Sequence, residues 1–269
     1  MSAGNSRAAF NRGINLRRQL SELSMISVII PTFNEACCLP VTLDALQRND
    51  RAHEVIVVDA GSFDATVDIA LENGARVVSS NVKQRAAQMN LGAESARGSV
   101  FLFLHADTRL PKDALARIRS TTARSRVVGG GFARRYDSPS RFLRVTCALA
   151  GMRTRLSGWF LGDQAIFVRR EVFNILGGFR DLNLFEDLDF SRRMRGEGRV
   201  VTLRPAVISS ARRFSLCHPW RTTLSDLRTT WRYLRGVDPN QLAAEYYGGC
   251  QRGARSADRV TVGDHGLFS

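Results

Sequence analysis

The amino-acid sequence predicts an α/β fold, a Rossmann-like and mostly parallel sheet with helices on both faces. Two patterns carry that prediction. Apolar runs of strand length, Val55-Ile56-Val57-Val58 and Val100-Phe101-Leu102-Phe103-Leu104, read as strands buried on both faces. Asp59 follows the first run directly, and His105-Ala106-Asp107 follows the second. Helical patterns lie between the runs, and strands separated by helices imply right-handed crossovers in a parallel sheet. A carboxylate just past such a strand stands at the carboxyl edge of the sheet, where open α/β sheets bind ligands.

Ser27–Pro31 reads as the first strand, ended by Pro31. Leu39–Gln47 puts Leu39, Leu43 and Leu46 on one helical face. Val55–Val58 is the second strand, Thr66–Glu72 a helix closed by Gly74, and Arg76–Ser79 the third strand. Arg85–Ala96 is a helix closed by Gly98, and Val100–Leu104 is the fourth strand. The second half differs in kind. Val127–Phe132 and Ala165–Val168 read as strands with the helix Arg141–Leu156 between them. Glu186–Arg195 is a short helix, and Arg199–Ile208 a strand with Pro205 at an edge or bulge. The two halves are expected to share one sheet. Pro219–Arg235 is an amphipathic helix, with Trp220, Leu224, Leu227, Trp231 and Leu234 in one stripe and Arg221, Arg228, Arg232 and Arg235 around it. Such a stripe predicts packing on the domain. A helix lying in a membrane interface is the alternative.

At 269 residues the chain suffices for one large domain, or one domain with an extension. No stretch approaches the roughly 20 uncharged apolar residues needed to span a bilayer. The first 24 residues lack the apolar centre of a secretory signal. They carry Arg7, Arg12, Arg17 and Arg18 with no acid before Glu22, and read as a basic disordered tail with a weak likeness to a transit peptide. The five cysteines, Cys37, Cys38, Cys147, Cys217 and Cys250, are odd in number and lack CxxC spacing. That speaks against a disulfide framework or a zinc site, and fits a reducing cytoplasmic compartment. The net charge of +14 is uneven: residues 1–120 hold 14 basic and 12 acidic side chains, residues 121–269 hold 25 and 13. All basic residues except Lys83 and Lys112 are Arg, which binds phosphate bidentately. The second half is expected to attract phosphates, an anionic acceptor or acidic lipids, the last placing the protein peripherally at the inner face of the membrane. Nucleic acid is set aside, since the chain shows no helix-turn-helix signature, zinc finger or aromatic stacking motif.

Four segments carry candidate chemistry. In Pro31-Thr32-Phe33-Asn34-Glu35, turn-favouring residues, a flat aromatic and a carboxylate suit a nucleoside, although a strand end and helix start explain them equally. In Asp59-Ala60-Gly61-Ser62, Asp59 is placed to accept from a base N–H, Gly61 allows a tight turn, and Ser62 is a helix cap. His105 and Asp107 are candidate ligands for Mg²⁺ or Mn²⁺ held with a diphosphate. A His that only bonds backbone is the alternative. Glu186-Asp187 is either a pair of acids favoured by a helix N-terminus or the place of a general base.

The blocks ISVIIPTFNE, VIVVDAGSFDATV, FLFLHADTRL, GDQAIFVRR, LGGF and FEDLDFSRRM stand in this order over residues 25–236. In this order they resemble the inverting glycosyltransferases of family two, which have the GT-A nucleotide-diphospho-sugar fold. RAAQMNLGA, HADTRLP, GDQAIFVRRE and SARRF resemble most the prokaryotic subgroup called radical-SAM/selenodomain-associated transferases. The resemblance implies a GT-A domain over 25–218, with a nucleotide-binding half (25–110) and an acceptor half (111–218). A helical extension over 219–247 and a disordered tail over 248–269 would follow it. It implies that Pro31, Thr32, Asn34, Glu35, Asp59, Gly61, Arg85 and Asp107 bind the nucleotide, a UDP-sugar being favoured. Asp107 would hold the metal, with His105 where the family has its first acid. Asp187 would be the catalytic base with Glu186 beside it, Gly162, Asp163 and Gln164 would shape the acceptor pocket, and Arg213 would contact the diphosphate. The acceptor is expected to be lipid-linked or a small metabolite. A nucleotidyltransferase and a non-catalytic nucleotide-sugar-binding module are the rival readings. The nucleotidyltransferase would need a phosphate-cradling Gly-rich loop, which the segment after Ile30 lacks.

Overall fold

β1 (Ile26–Thr32), buried at all seven positions, is the strand from which the chain winds in both directions. The computed structural model describes residues 25–50, 53–215 and 219–246. After β1 come α1 (Leu39–Gln47), β2 (His53–Asp59), α2 (Thr66–Glu72), β3 (Arg76–Ser79), α3 (Arg85–Ser95) and β4 (Val100–Phe103). The second half contains β5 (Thr108–Arg109), α4 (Ala114–Thr122), β6 (Val127–Tyr136), α5 (Arg141–Ser157) and a 3₁₀ turn (Gly162–Gln164). It continues with β7 (Ile166–Arg169), α6 (Arg170–Ile175), α7 (Glu186–Glu197), β8 (Arg199–Ser209), α8 (Arg212–Ser215) and α9 (Pro219–Leu234). Residues 239–246 are also helical.

The eight strands of the described residues form one sheet in the order β3-β2-β1-β4-β7-β6-β8-β5, so the two halves share a sheet. The first half is parallel throughout. The second is mixed, with β7 antiparallel to β4 and β6, and β6 parallel to β8. The strand order reverses between β1 and β4, and that switch point is where an open α/β sheet leaves a crevice. Register sets what meets there: Thr32 pairs with Asp59, so the carboxyl ends of β1 and β2 lie side by side.

The two faces carry separate cores. α1 and α4 cover one, through Leu39, Leu43, Leu46, Leu115 and Ile118. On the other, α3 lies close enough to β1 that a Cβ on Gly92 would sit 2.4 Å from Ile29 Cγ2. There Phe190 of α7 is wholly buried among Phe103, Phe173 and Phe179, with ring centroids 4.4–6.3 Å away. Such aromatic pairs add about 0.5–1.5 kcal/mol each beyond burial, and they hold α7 at the sheet edge.

The structure differs from the sequence expectation in identifiable places. β5 is two residues long and exists through its pairing with β8, which no periodicity announces. α4 is an addition to the expected elements, with Ala114, Leu115, Ile118 and Thr122 buried at helical spacing. β6 runs past Phe132 to Tyr136. Pro205 does sit at a bulge: Phe132 pairs with Leu203, but Arg134 pairs with Val207. The larger correction concerns α9. Its apolar stripe does not pack on the domain; Trp220, Leu224, Leu227, Trp231 and Leu234 are 44–63% exposed, and no α9 residue is buried among the described residues. The flank of the helix seats it instead, through Tyr233 stacked on Phe185 at 4.7 Å and Asp226 paired with Arg213. The expected tails, 1–24 and 248–269, lie outside the described residues.

Candidate active site

The loops after β1 and β2 are laced together. The Asp59 carboxylate accepts from Gly61 N (3.0 Å), Ser62 N (2.8 Å), Ser62 Oγ (2.6 Å) and Thr32 Oγ1 (3.0 Å). These bonds fill the four acceptor positions of a carboxylate, so Asp59 organises its own loop, and a base donor would have to displace one of them. Gly61 meets the turn with φ +79°. Ser62 donates into this network and accepts from Asn34 N at 2.8 Å, and it makes no cap on α2. Asn34 Oδ1 accepts from Phe63 N at 3.0 Å, and Glu35 N donates to Thr66 Oγ1 at 2.8 Å. Gln88, absent from the sequence reading, clips the two strand ends by donating to Thr32 O (2.8 Å) and Val58 O (2.7 Å).

These loops floor a cavity of about 610 Å³ lined by Pro31, Thr32, Phe33, Glu35, Lys83, Arg85 and Glu186, and roofed by Asn183, Asn240 and Ala243. Lys83 Nζ sits 3.3 Å from the Phe33 ring centroid, and Phe63 meets Phe33 edge-on at 6.0 Å. The roof comes from residues 239–246 and is tied down by Asn183 Nδ2 donating to Asn240 Oδ1 at 2.8 Å. Lys83 and Asn240 were not foreseen, because chain folding alone brings them to β1.

Beyond Glu35 the cavity edge turns electrostatic. Arg212 Nη2 lies 2.7 Å from Glu35 Oε1 and 3.5 Å from Asp107 Oδ2. The expected diphosphate contact, Arg213, faces the other way: its Nη2 is 2.5 Å from Asp226 Oδ1 and its guanidinium lies over Tyr246 at 4.8 Å. Successive residues on a helix point about 100° apart, so only one of the pair can face the sheet edge. Arg85 opens α3 at the cavity, and its charge acts on His105, Asp107, Glu186 and Asp187.

Burial raises the ionisation of Asp107 above the usual carboxylate range. Burial and the cations Arg85 and Arg212 push His105 down to about 3, so it is neutral. Its Nε2 edge faces Gly162, where an added Cβ would lie 2.4 Å from Nε2. Among the described residues, His105 and Asp107 are not assembled into a three-donor metal cluster; Glu35, Cys37 and Cys38 form the one such group. Mg²⁺ bound with substrate phosphates needs one or two carboxylates and keeps its waters. Asp107 offers one carboxylate, and Glu35 Oε2, buried without a hydrogen-bond partner, offers an oxygen beside it. That donor set fits Mg²⁺ or Mn²⁺ held jointly with a diphosphate.

Glu186 and Asp187 start α7 immediately after Phe185, whose φ is +66°. Asp187 Oδ2 accepts from Gly162 N (2.5 Å) and Oδ1 from Leu188 N (2.6 Å), while burial raises its ionisation. Glu186 is 7% exposed, and burial together with Asp187 pushes it up to about 7. Gly162 admits no side chain, being wedged against His105 and Asp187. Asp163 Oδ2 accepts from Arg134 Nη1 and from Tyr136 OH (3.1 Å). Gln164 does not face an acceptor space. It donates to Phe132 O (3.0 Å) and accepts from Leu161 N (3.1 Å), bracing the turn. The non-glycine residues with positive φ among the described residues are Asn34, Ala165 and Phe185, one in each site loop. Such strain, about 1–3 kcal/mol each, gathers where a fold aims functional groups.

The family model of glycosyl transferase family 2 matches residues 27–180, more than half of the chain. A PGL/p-HBAD biosynthesis glycosyltransferase of Mycobacterium bovis (strain BCG / Pasteur 1173P2) is 31% identical over 202 residues, covering 66% of this chain and 72% of that protein. The solved structure of the mannosyltransferase PcManGT from Pyrobaculum calidifontis, in complex with GDP-Man and Mn²⁺, superposes with a TM-score of 0.60 at 22% identity, over 90% of this chain and 76% of that one. S. aureus TarS 1–349 in complex with UDP superposes with a TM-score of 0.57 at 18% identity, over 70% of this chain and 60% of that one.

Proposed function

The chain belongs to glycosyl transferase family 2, and on that premise we propose how its cavity and paired acids carry out glycosyl transfer. It is a glycosyltransferase with the GT-A fold. The donor in this reading is a nucleoside diphosphate sugar, a UDP-sugar first among candidates, since UDP and GDP-Man are bound by two proteins of like fold. The observation that carries the reading is one cavity at the switch point that runs from Phe33 to Glu186, next to Asp187.

The base packs on Phe33 and Lys83, and Thr32, Asn34 and Glu35 fix the ribose end. Arg212 and Arg85 take the diphosphate. A divalent metal on Asp107, when bound, would supply positive charge to the departing nucleoside diphosphate. Burial raises the ionisation of both acids, Glu186 to about 7, and Asp187, whose two oxygens are held by backbone N–H groups, is the base in this reading. Asp187 then removes the proton of an acceptor hydroxyl, which attacks the anomeric carbon opposite the leaving group. The Gly162 and Leu188 N–H groups hold both Asp187 oxygens in place for this. Neutral His105 adds no competing charge. The motif blocks quoted above support reading the chain as a member of the radical-SAM/selenodomain-associated subgroup.

We further propose that it works at an anionic membrane surface on a lipid-linked acceptor. Among the described residues no helix is long and apolar enough to cross a membrane. Among the described residues, α5 and α9 together hold ten of the fifteen exposed large apolar side chains. Exposed Arg141, Arg144, Arg155, Arg221 and Arg228 stand beside them, and Asp226 is the one acid on the two helices. Apolar stripes edged by arginine and tryptophan suit a lipid interface.

The test is release of nucleoside diphosphate from a panel of nucleotide sugars with Mn²⁺, the product anomer being read by NMR. Release with inversion, reduced in Asp187→Asn, is expected. Retention of configuration would refute the single displacement. Sedimentation with anionic vesicles at low salt tests the membrane part, and no binding there would remove it.

A further inference from the structure

We propose that Arg153 and Arg134 form a subsite for a phosphate group carried by the acceptor next to its reacting hydroxyl, a deepening that rests on the glycosyltransfer reading above. Five buried side-chain polar atoms lack a hydrogen-bond partner among the described residues. One, Glu35 Oε2, lies at the donor edge. The other four, Arg134 Nε, Arg153 Nε, Arg153 Nη2 and Asp163 Oδ1, belong to an ion pair, Arg134 with Asp163, and to an arginine on which both of its charges act. Buried polar groups are nearly always paired, and an unpaired buried guanidinium is the most costly kind to leave so.

The chemistry of the four atoms is specific. Three are N–H donors on cations, and one is a carboxylate oxygen that only accepts. Their complement is an anion that accepts from several guanidinium N–H groups at once, joined to a hydroxyl, other than the reacting one, that donates. A phosphate ester bearing a nearby alcohol has that composition. Arginine suits it because its fork matches phosphate oxygens. The charges of Asp163 and Asp187 both act on Arg153, which puts the guanidinium in electrostatic reach of the base. Asp163 already holds Arg134 and Tyr136 through its other oxygen, so Oδ1 is left for the ligand.

Access follows from how α5 is seated. Of its seventeen residues, Leu143 and Thr154 are the buried ones, while Phe142, Val145, Leu149, Met152 and Leu156 are 42–77% exposed on the opposite side. A helix so lightly packed opens at low cost. The same helix therefore offers an apolar face outward and Arg153 inward. In the transfer step the acceptor oxygen bonds to the anomeric carbon, the bond from that carbon to the diphosphate oxygen breaks, the proton goes to Asp187, and nucleoside diphosphate leaves.

The source of the phosphate is either a lipid headgroup or a soluble polyol phosphate, and the test separates them. Thermal melting of wild type, Arg153→Gln and Arg153→Lys is followed with glycerol phosphate and with vesicles of phosphatidylglycerol, using phosphatidylserine vesicles as the charged control without the alcohol. Without ligand, Arg153→Gln is expected to melt at or above the wild-type temperature, because an unpaired buried charge is gone. A lower melting temperature would instead identify a structural ion pair and overturn the proposal. Glycerol phosphate or phosphatidylglycerol should raise the wild-type melting temperature by several degrees, and Arg153→Gln should lose that shift. A gain from glycerol phosphate marks a soluble acceptor, and one from phosphatidylglycerol alone a lipid. No shift with either, or an equal shift in Arg153→Gln, overturns the subsite. In turnover, Arg153→Gln should raise the acceptor KM at least tenfold with donor KM unchanged. Failure of the glycosyltransfer reading shows separately, as no nucleoside diphosphate release by wild type, and the melting comparison then still decides the subsite.

Discussion

The two sides of the cleft are finished to different degrees. On the donor side Asp59 has four hydrogen bonds from its own neighbourhood, and Gln88 ties two strand ends together. On the acceptor side Asp163, Arg134 and Arg153 leave buried atoms without partners. A site preorganised by its own backbone suits a constant ligand part, the nucleotide. A site with unmatched charge is completed by whatever it binds. On the proposed reading, a fixed donor side stands against an acceptor side whose selectivity is held in a few arginines.

The largest effect expected from breaking this arrangement is at the base. Asp187→Asn keeps the size of the side chain but cannot take a proton, and its amide nitrogen cannot accept from one of the two backbone N–H groups, so kcat should fall by roughly 10²–10⁴ with little change in donor KM. Steady-state kinetics on both substrates checks it. Next is the diphosphate cation. Arg212→Ala removes charge-assisted bonds of about 1.5–3 kcal/mol, a roughly ten- to hundredfold rise in donor KM. Arg213→Ala, whose side chain pairs with Asp226, should leave donor KM near wild type. If the two exchanged roles, the geometry of α8 would be wrong in solution.

A pH effect comes next in size. Glu186 titrates near 7 in the fold, above its ordinary value of 4.5. Between those values the folded state keeps a proton that the unfolded state has released, so this group's contribution to stability falls as pH rises from about 4.5 to 7. Glu186→Gln removes the ionisation. It should raise the melting temperature relative to wild type at pH 8 by a few degrees, at roughly 2–4 °C per kcal/mol, and less at pH 5. Equal shifts at both pH values would show that Glu186 ionises normally. The smallest effect expected is at the base platform: Lys83→Ala loses a cation–π contact of about 0.5–1 kcal/mol, a two- to fivefold rise in donor KM.

Much of the donor half was legible because its signals are local. The helices at Leu39–Gln47 and Thr66–Glu72 and the strand at Arg76–Ser79 fall at their read boundaries. The acceptor half was less legible because tertiary contacts decide it. Which of Arg212 and Arg213 faces the cleft depends on where α8 leaves β8. Arg153 reads as one more basic residue on a helix, while in the fold the charges of Asp163 and Asp187 act on it. Gln164, read from its motif as part of an acceptor pocket, is a backbone brace. The stripe of α9 shows helical periodicity but not what covers it, and the domain does not.

The most direct test of the donor-site account is calorimetric titration of UDP, GDP and their sugars into the wild type, with and without Mn²⁺ and with no acceptor present. A preformed donor half predicts saturable binding of one nucleoside diphosphate in the absence of acceptor, weakened at least tenfold in Arg212→Ala and unchanged in Arg153→Gln. Absence of binding by every nucleotide tested, with or without metal, would contradict it.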